Sequence, residues 1–88
     1  MEIGRTPLDM LVKKLSRLKP SDTDLAADGI TKREFTKLDY ISALKIARAS
    51  CDERRKKLYL AQAVRAARLD CIQTPILAEH LGEFYTLL

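Results

Sequence analysis

Ser50-Cys51-Asp52-Glu53-Arg54-Arg55-Lys56-Lys57-Leu58-Tyr59-Leu60-Ala61-Gln62-Ala63-Val64-Arg65-Ala66-Ala67-Arg68-Leu69-Asp70-Cys71-Ile72 contains neither glycine nor proline. Its alanines favour helix and allow close helix–helix approach. Tyr59, Leu60, Ala63, Val64, Ala67 and Cys71 gather on one face at helical spacing. The stretch therefore predicts a helix from about Glu53 to Ile72. Ser50, with Glu53 three positions on, has the order of a capping box, in which a hydroxyl and a carboxylate exchange bonds with the free amides of a helix start.

Working outward, Thr31-Lys32-Arg33-Glu34 repeats that order and predicts a helix starting after Thr31, with Thr31 as its cap and Glu34 reciprocating. Phe35, Leu38, Ile41, Leu44 and Ala47 form one apolar stripe, and Tyr40, Ala43 and Ile46 a second. A helix apolar on two sides belongs at the centre, so this one is expected to be the most buried. The box at Ser50 favours a break near Ala49–Asp52 over one continuous rod. Thr6-Pro7-Leu8-Asp9 and Thr74-Pro75-Ile76-Leu77 place Thr at the cap and Pro at the first helical position, where its missing N–H costs nothing. The first predicts a helix from about Pro7 to Lys19, stopped by Pro20, with Leu8, Leu11, Val12, Leu15 and Leu18 inward. The second starts a last helix carrying Leu77, Leu81, Phe84 and Leu88. Between the first two, Ser21 to Asp24 can cap a short turn through Leu25-Ala26-Ala27, with Gly29 in the left-handed position that ends it. The expected fold is all-α: residues 1–88 as one domain, a compact bundle of four main helices plus one short helix.

At 10.0 kDa the chain buries only about 60% of its unfolded surface. No apolar run approaches the roughly 20 residues that span a bilayer. Met1-Glu2-Ile3-Gly4-Arg5 lacks the plan of a secretion signal. Together these read as a cytoplasmic protein without membrane contact. Two cysteines, Cys51 and Cys71, are too few for a disulfide framework and read as reduced, with Cys71 a small buried group among alanines. A single histidine, His80, leaves too few ligands for a metal site, and no motif calls for a cofactor.

The net charge of +4 is unevenly spread. Residues 1–20, 32–50 and 51–73 are basic. Residues 21–31, with Asp22, Asp24 and Asp28, and the last fifteen, with Glu79 and Glu83, are acidic. The sharpest cluster is on the Glu53–Ile72 helix, where Arg54, Lys57, Arg65 and Arg68 fall within roughly 80° of one another. Leu58, Ala61, Leu69 and Ile72 share that side. Arginine mixed with aliphatics is the composition of many protein interfaces, so Arg54, Lys57, Leu58, Arg65, Arg68 and Leu69 are the candidate contacts for a partner protein with an acidic surface.

Other chemistry is weakly represented. Glu79 and His80 are adjacent, hence point apart on a helix, and no glycine-rich phosphate loop exists. The chain reads as non-enzymatic. Leu25-Ala26-Ala27-Asp28-Gly29-Ile30-Thr31, followed by Phe35 and Leu38, resembles the Ala…Gly-Val-Ser…Val order of a helix-turn-helix. It is one residue shorter between Ala26 and Gly29, and three aspartates crowd its first helix. That resemblance implies Lys32, Arg33 and Lys37 as nucleic-acid contacts. The apolar end Phe84-Tyr85-Thr86-Leu87-Leu88 and the surplus of apolar faces call for a cover, from the bundle itself or from a homodimer. The expectation is a small regulator, adaptor or inhibitor that docks a basic, aliphatic helical face on another protein, with nucleic-acid binding as the alternative.

Overall fold

The computed structural model describes residues 6–88, so the reading of Met1–Arg5 lies outside the described residues. Within them the fold is all-α. Its helices are α1 (Pro7–Ser16), α2 (Asp22–Ala27), α3 (Lys32–Thr36), α4 (Tyr40–Ala49), α5 (Glu53–Leu69) and α6 (Thr74–Leu81), with a closing 3₁₀ helix over Gly82–Leu87. Four of the six α-helices are long, but there are two short ones where the sequence led us to expect one.

The extra element comes from a break in the predicted Thr31–Ala49 helix. Thr31 caps α3 with Glu34 reciprocating, as expected, at 3.1 and 3.0 Å. The chain then turns at Lys37–Asp39, and the Asp39 carboxylate accepts from the Ser42 N–H at 3.0 Å to start α4 afresh. Buried Gln62 of α5 donates its side-chain amide to the carbonyls of Thr36 and Leu38, at 3.2 and 3.3 Å. A carbonyl left without a helical partner near the core is thereby satisfied. The break rotates the stripes: Phe35, Tyr40, Ala43, Leu44 and Ala47 are buried, whereas Ile41 is 48% exposed.

The most buried helix is α5, not the element before it. Between Leu58 and Ala67 every residue except Arg65 is buried. Such a helix is apolar almost all round and takes the centre. It packs most extensively on α4 and next on α1. Phe35 meets Tyr59 edge-on with ring centroids 5.2 Å apart.

Two ends fall short of the sequence reading. Ser16 is the last residue of α1, because Pro20 sterically excludes helical backbone at Lys19 and the chain closes instead through a bond from Leu18 N–H to Leu15 O. Leu69 is the last residue of α5, and Cys71 takes a left-handed φ of 56°. Cys71 is exposed, so the expectation of a buried thiol is wrong. The bundle covers most of the last segment, which leaves α6 at Leu81 for the 3₁₀ helix. Phe84 is buried, Tyr85 and Leu87 pack on the core, and the Leu87 carbonyl accepts from Lys14 Nζ at 2.5 Å. Leu88, expected on the same apolar stripe, is 47% exposed.

Candidate docking site

The basic ladder of α5 does not stand in solvent as a unit. Its first half is clasped by the acidic helix α2. Arg54 grips Asp24 with two parallel bonds, Nε to Oδ1 at 2.9 Å and Nη2 to Oδ2 at 2.8 Å. Arg55 reaches Asp28 at 2.9 Å and the Ser50 hydroxyl at 2.8 Å, and its guanidinium lies 5.2 Å from the Tyr59 ring centroid. The Tyr59 hydroxyl donates to the second Asp28 oxygen at 2.9 Å. Hydrogen bonds from Arg54 hold the Asp24 carboxyl well below its ordinary range, with the Ser21 cap adding to the effect. Burial, then the bond to Asp28, pushes the Tyr59 phenol up to about 12. Lys57 pairs along its own helix with Glu53 at 2.9 Å, and that bond lowers the Glu53 pKa. Leu58 is buried at a cleft it shares with Asp24, Ala27 and Asp28, so it is not free to meet a partner as expected.

The second half of the ladder divides again. Arg65 is partly buried and donates to the Leu18 carbonyl. In this half Arg68 and Leu69 remain outward, Leu69 at 84% exposure. Arg68 lines a groove of about 480 Å³ between α1, the end of α5 and the start of α6. Val12, Val64, Ile72 and Leu77 give this groove apolar walls, and Lys13 of α1 contributes a second cation. No described carboxylate pairs with either Lys13 or Arg68. Asp9, which also lines the groove, is directed to its own cap, where it accepts from the Thr6 N–H at 3.4 Å. The first turn of α6 opens on the same groove through Thr74 and carries no side-chain cap. A helix start holds partial positive charge, which adds to that of the two side chains.

Of the two cations at this groove the sequence pointed to Arg68 and not to Lys13, which lies off the apolar stripe of α1; Leu69 lies beside the groove and does not line it. The Ile72 and Leu77 walls carried a signal: Ile72 shares the side of the basic ladder, and Leu77 opens the apolar stripe of the last helix. The alternative contacts Lys32, Arg33 and Lys37 are all exposed on or beside α3, a helix of five residues, about 7.5 Å long. Glu34 sits among them, its pKa lowered by the bonds to Thr31. His80 is partly buried, with Nδ1 2.8 Å from the Tyr40 hydroxyl. Among the described residues no group of three or more His, Cys, Asp or Glu side chains is placed to hold a metal ion. No helix among them is long and apolar enough to cross a membrane.

The architecture defines a small all-α protein whose distinguishing surface is a basic, apolar groove at one end of its central helix. No family model, curated protein or solved structure matches the chain.

Proposed function

We propose that the protein is a non-enzymatic binding protein that docks an acidic, aliphatic-bearing segment of a partner protein in the α1–α5–α6 groove. The observation that carries this reading is an apolar-walled groove flanked by one cation from each of two helices, neither paired with a described carboxylate. Val12, Ile72 and Leu77, each only partly buried, offer surface to be covered, while Lys13, Arg68 and the uncapped α6 start favour carboxylates. Charges at such a rim orient and steer a partner, and the apolar contact supplies the affinity. Leu69, next to Arg68 and almost wholly exposed, extends the contact surface. The rest of the ladder serves the fold, so the docking face is narrower than helical spacing implied.

The test uses a fluorescent peptide that presents leucines on one helical face and glutamates at its borders. Anisotropy should report saturable binding that weakens with salt. The double variant Lys13→Glu/Arg68→Glu should stay folded and lose at least about tenfold in affinity. Equal binding by the folded variant, or no binding by the native chain, overturns the proposal. Formation of a homodimer through the same groove would appear as a concentration-dependent mass in sedimentation and would replace the partner reading. Nucleic-acid binding has less support, because α3 is short and the clasped arginines of α5 are occupied. A mobility shift that fades steeply with salt is its signature.

A further inference from the structure

A second cavity, of about 440 Å³, lies on another side of α5, between the α1–α2 connection and α3. Lys19, Lys32 and Arg65 line it, each from a different segment of chain, together with Phe35, Thr36 and Gln62. Among the described residues no carboxylate lines it, and none of the three cations has a described carboxylate partner. The contrast within one helix is sharp. Arg54 and Arg55 each receive an aspartate, from α2 and from its C-cap, and Lys57 receives Glu53, whereas among the described residues Arg65 receives the Leu18 carbonyl alone. A guanidinium has five N–H donors, so most of its capacity is unspent. Burial lowers the Arg65 pKa. Two further positive charges at the same cavity add to the cost of leaving it empty of anions.

We propose that this cleft binds the phosphate group of a small phosphorylated molecule, with Arg65 inside and Lys19 and Lys32 at the mouth. Arginine suits the role because its planar fork matches phosphate oxygens two at a time, and lysines supply mobile point charges. The volume is that of a small-ligand site and exceeds what a bare anion fills. The cations converge on one cavity and are not strung along a surface, which favours a single phosphate over a nucleic-acid backbone. The backbone explains how Lys19 comes to be there: Pro20 ends α1 early and leaves Lys19 in the connection. This site is separate from the docking groove and shares no residue with it.

Nitrogen–proton NMR of the whole chain, titrated at low salt with AMP and separately with inorganic phosphate, tests the proposal. Saturable shifts should appear at the Arg65 Nε–H and at the amides around Lys19 and Lys32. Lys19→Gln and Lys32→Gln alter exposed side chains and should each weaken AMP binding by about five- to tenfold. Arg65→Gln should abolish it, and the lysine variants keep the test decisive if loss of the Leu18 contact unfolds that protein. Lys13→Glu/Arg68→Glu should bind AMP normally, so failure of one site is distinguishable from failure of the other. Absence of saturable shifts with both probes overturns the proposal, as do lysine variants that bind AMP like the native chain. Shifts at these residues with a single-stranded oligonucleotide and with neither small probe would assign the cleft to nucleic acid instead.

Discussion

Cys71 has a left-handed backbone that side chains rarely adopt, and its hydrogen bonds explain why it is held there. The Ile72 N–H reaches back to the Ala67 carbonyl at 3.0 Å and the Cys71 N–H to Arg68 at 3.4 Å, the paired pattern that closes a helix end. The same closure ends α2, where Ile30 bonds to Leu25 and Gly29 to Ala26, both at 3.1 Å, and Gly29 has a φ of 63°. Glycine announces that geometry in a sequence and cysteine does not, which is why one helix end was legible and the other was read one turn too long. Cys71→Gly should therefore raise stability by about 1 kcal/mol, the strain of a left-handed residue, less the added freedom of the unfolded chain. Gly29→Ala should lower it by a similar amount. Nothing lies within 4 Å of an added Cβ there, so the loss would be purely conformational. Urea midpoints measure both. A Cys71→Gly protein less stable than the native chain would falsify this account of the helix end.

Helix starts were legible where a hydroxyl and an acid stand three apart and nothing competes. Thr6, Ser21 and Thr31 form reciprocal boxes with Asp9, Asp24 and Glu34. Ser50 and Thr74 were misread for two separate reasons. Two residues after Ser50, Asp52 takes the cap of α5 and accepts from the Arg55 N–H at 2.9 Å. Ser50 is buried and turns its hydroxyl to the Ile46 carbonyl at 2.7 Å, so it ends α4 and does not start α5. At the last helix, Gln73 holds the cap position without a side-chain bond, and Thr74 is already helical. The Asp39 start passed unnoticed because the apolar periodicity runs through it and the compensating Gln62 comes from a distant helix. Asp52→Ala should cost about 1 kcal/mol, as removal of a working cap does. Thr74→Ala should change stability by less than about 0.5 kcal/mol, as at an exposed position without a special contact. Thermal melts of the two variants side by side decide the assignment, and equal losses would return Thr74 to the cap.

For the molecule as a whole, the all-α class and the central place of a long alanine-rich helix follow from periodicity, but the division of its charges does not. A helical wheel put Arg54, Lys57, Arg65 and Arg68 on one side. It could not see that a short acidic helix thirty positions earlier folds against the first half of that side. Asp24 and Asp28 looked like an isolated acidic patch; in the fold they anchor α2 to α5 through Arg54, Arg55 and Tyr59. That clasp sets a pH dependence. The folded-state pKa of Asp24 is depressed, chiefly by Arg54, so its contribution is present above the unfolded carboxyl value of about 4 and is lost as pH falls through and below it. Tyr59 has the opposite sign: its raised phenol prefers the neutral form, so its contribution is intact below about 10 and fades as pH climbs toward 12. Arg54 is 54% exposed in its side chain, so salt should weaken the acid-side effect. Asp24→Asn should accordingly be less stable than the native chain at neutral pH, and the gap between the two urea midpoints should narrow steadily as pH falls below about 4. Tyr59→Phe should remove the latest phase of the phenolate absorbance titration. Parallel pH curves for the native chain and Asp24→Asn would mean that the Asp24 carboxylate is idle and that α2 is held by Asp28 and by the apolar contact of Leu25.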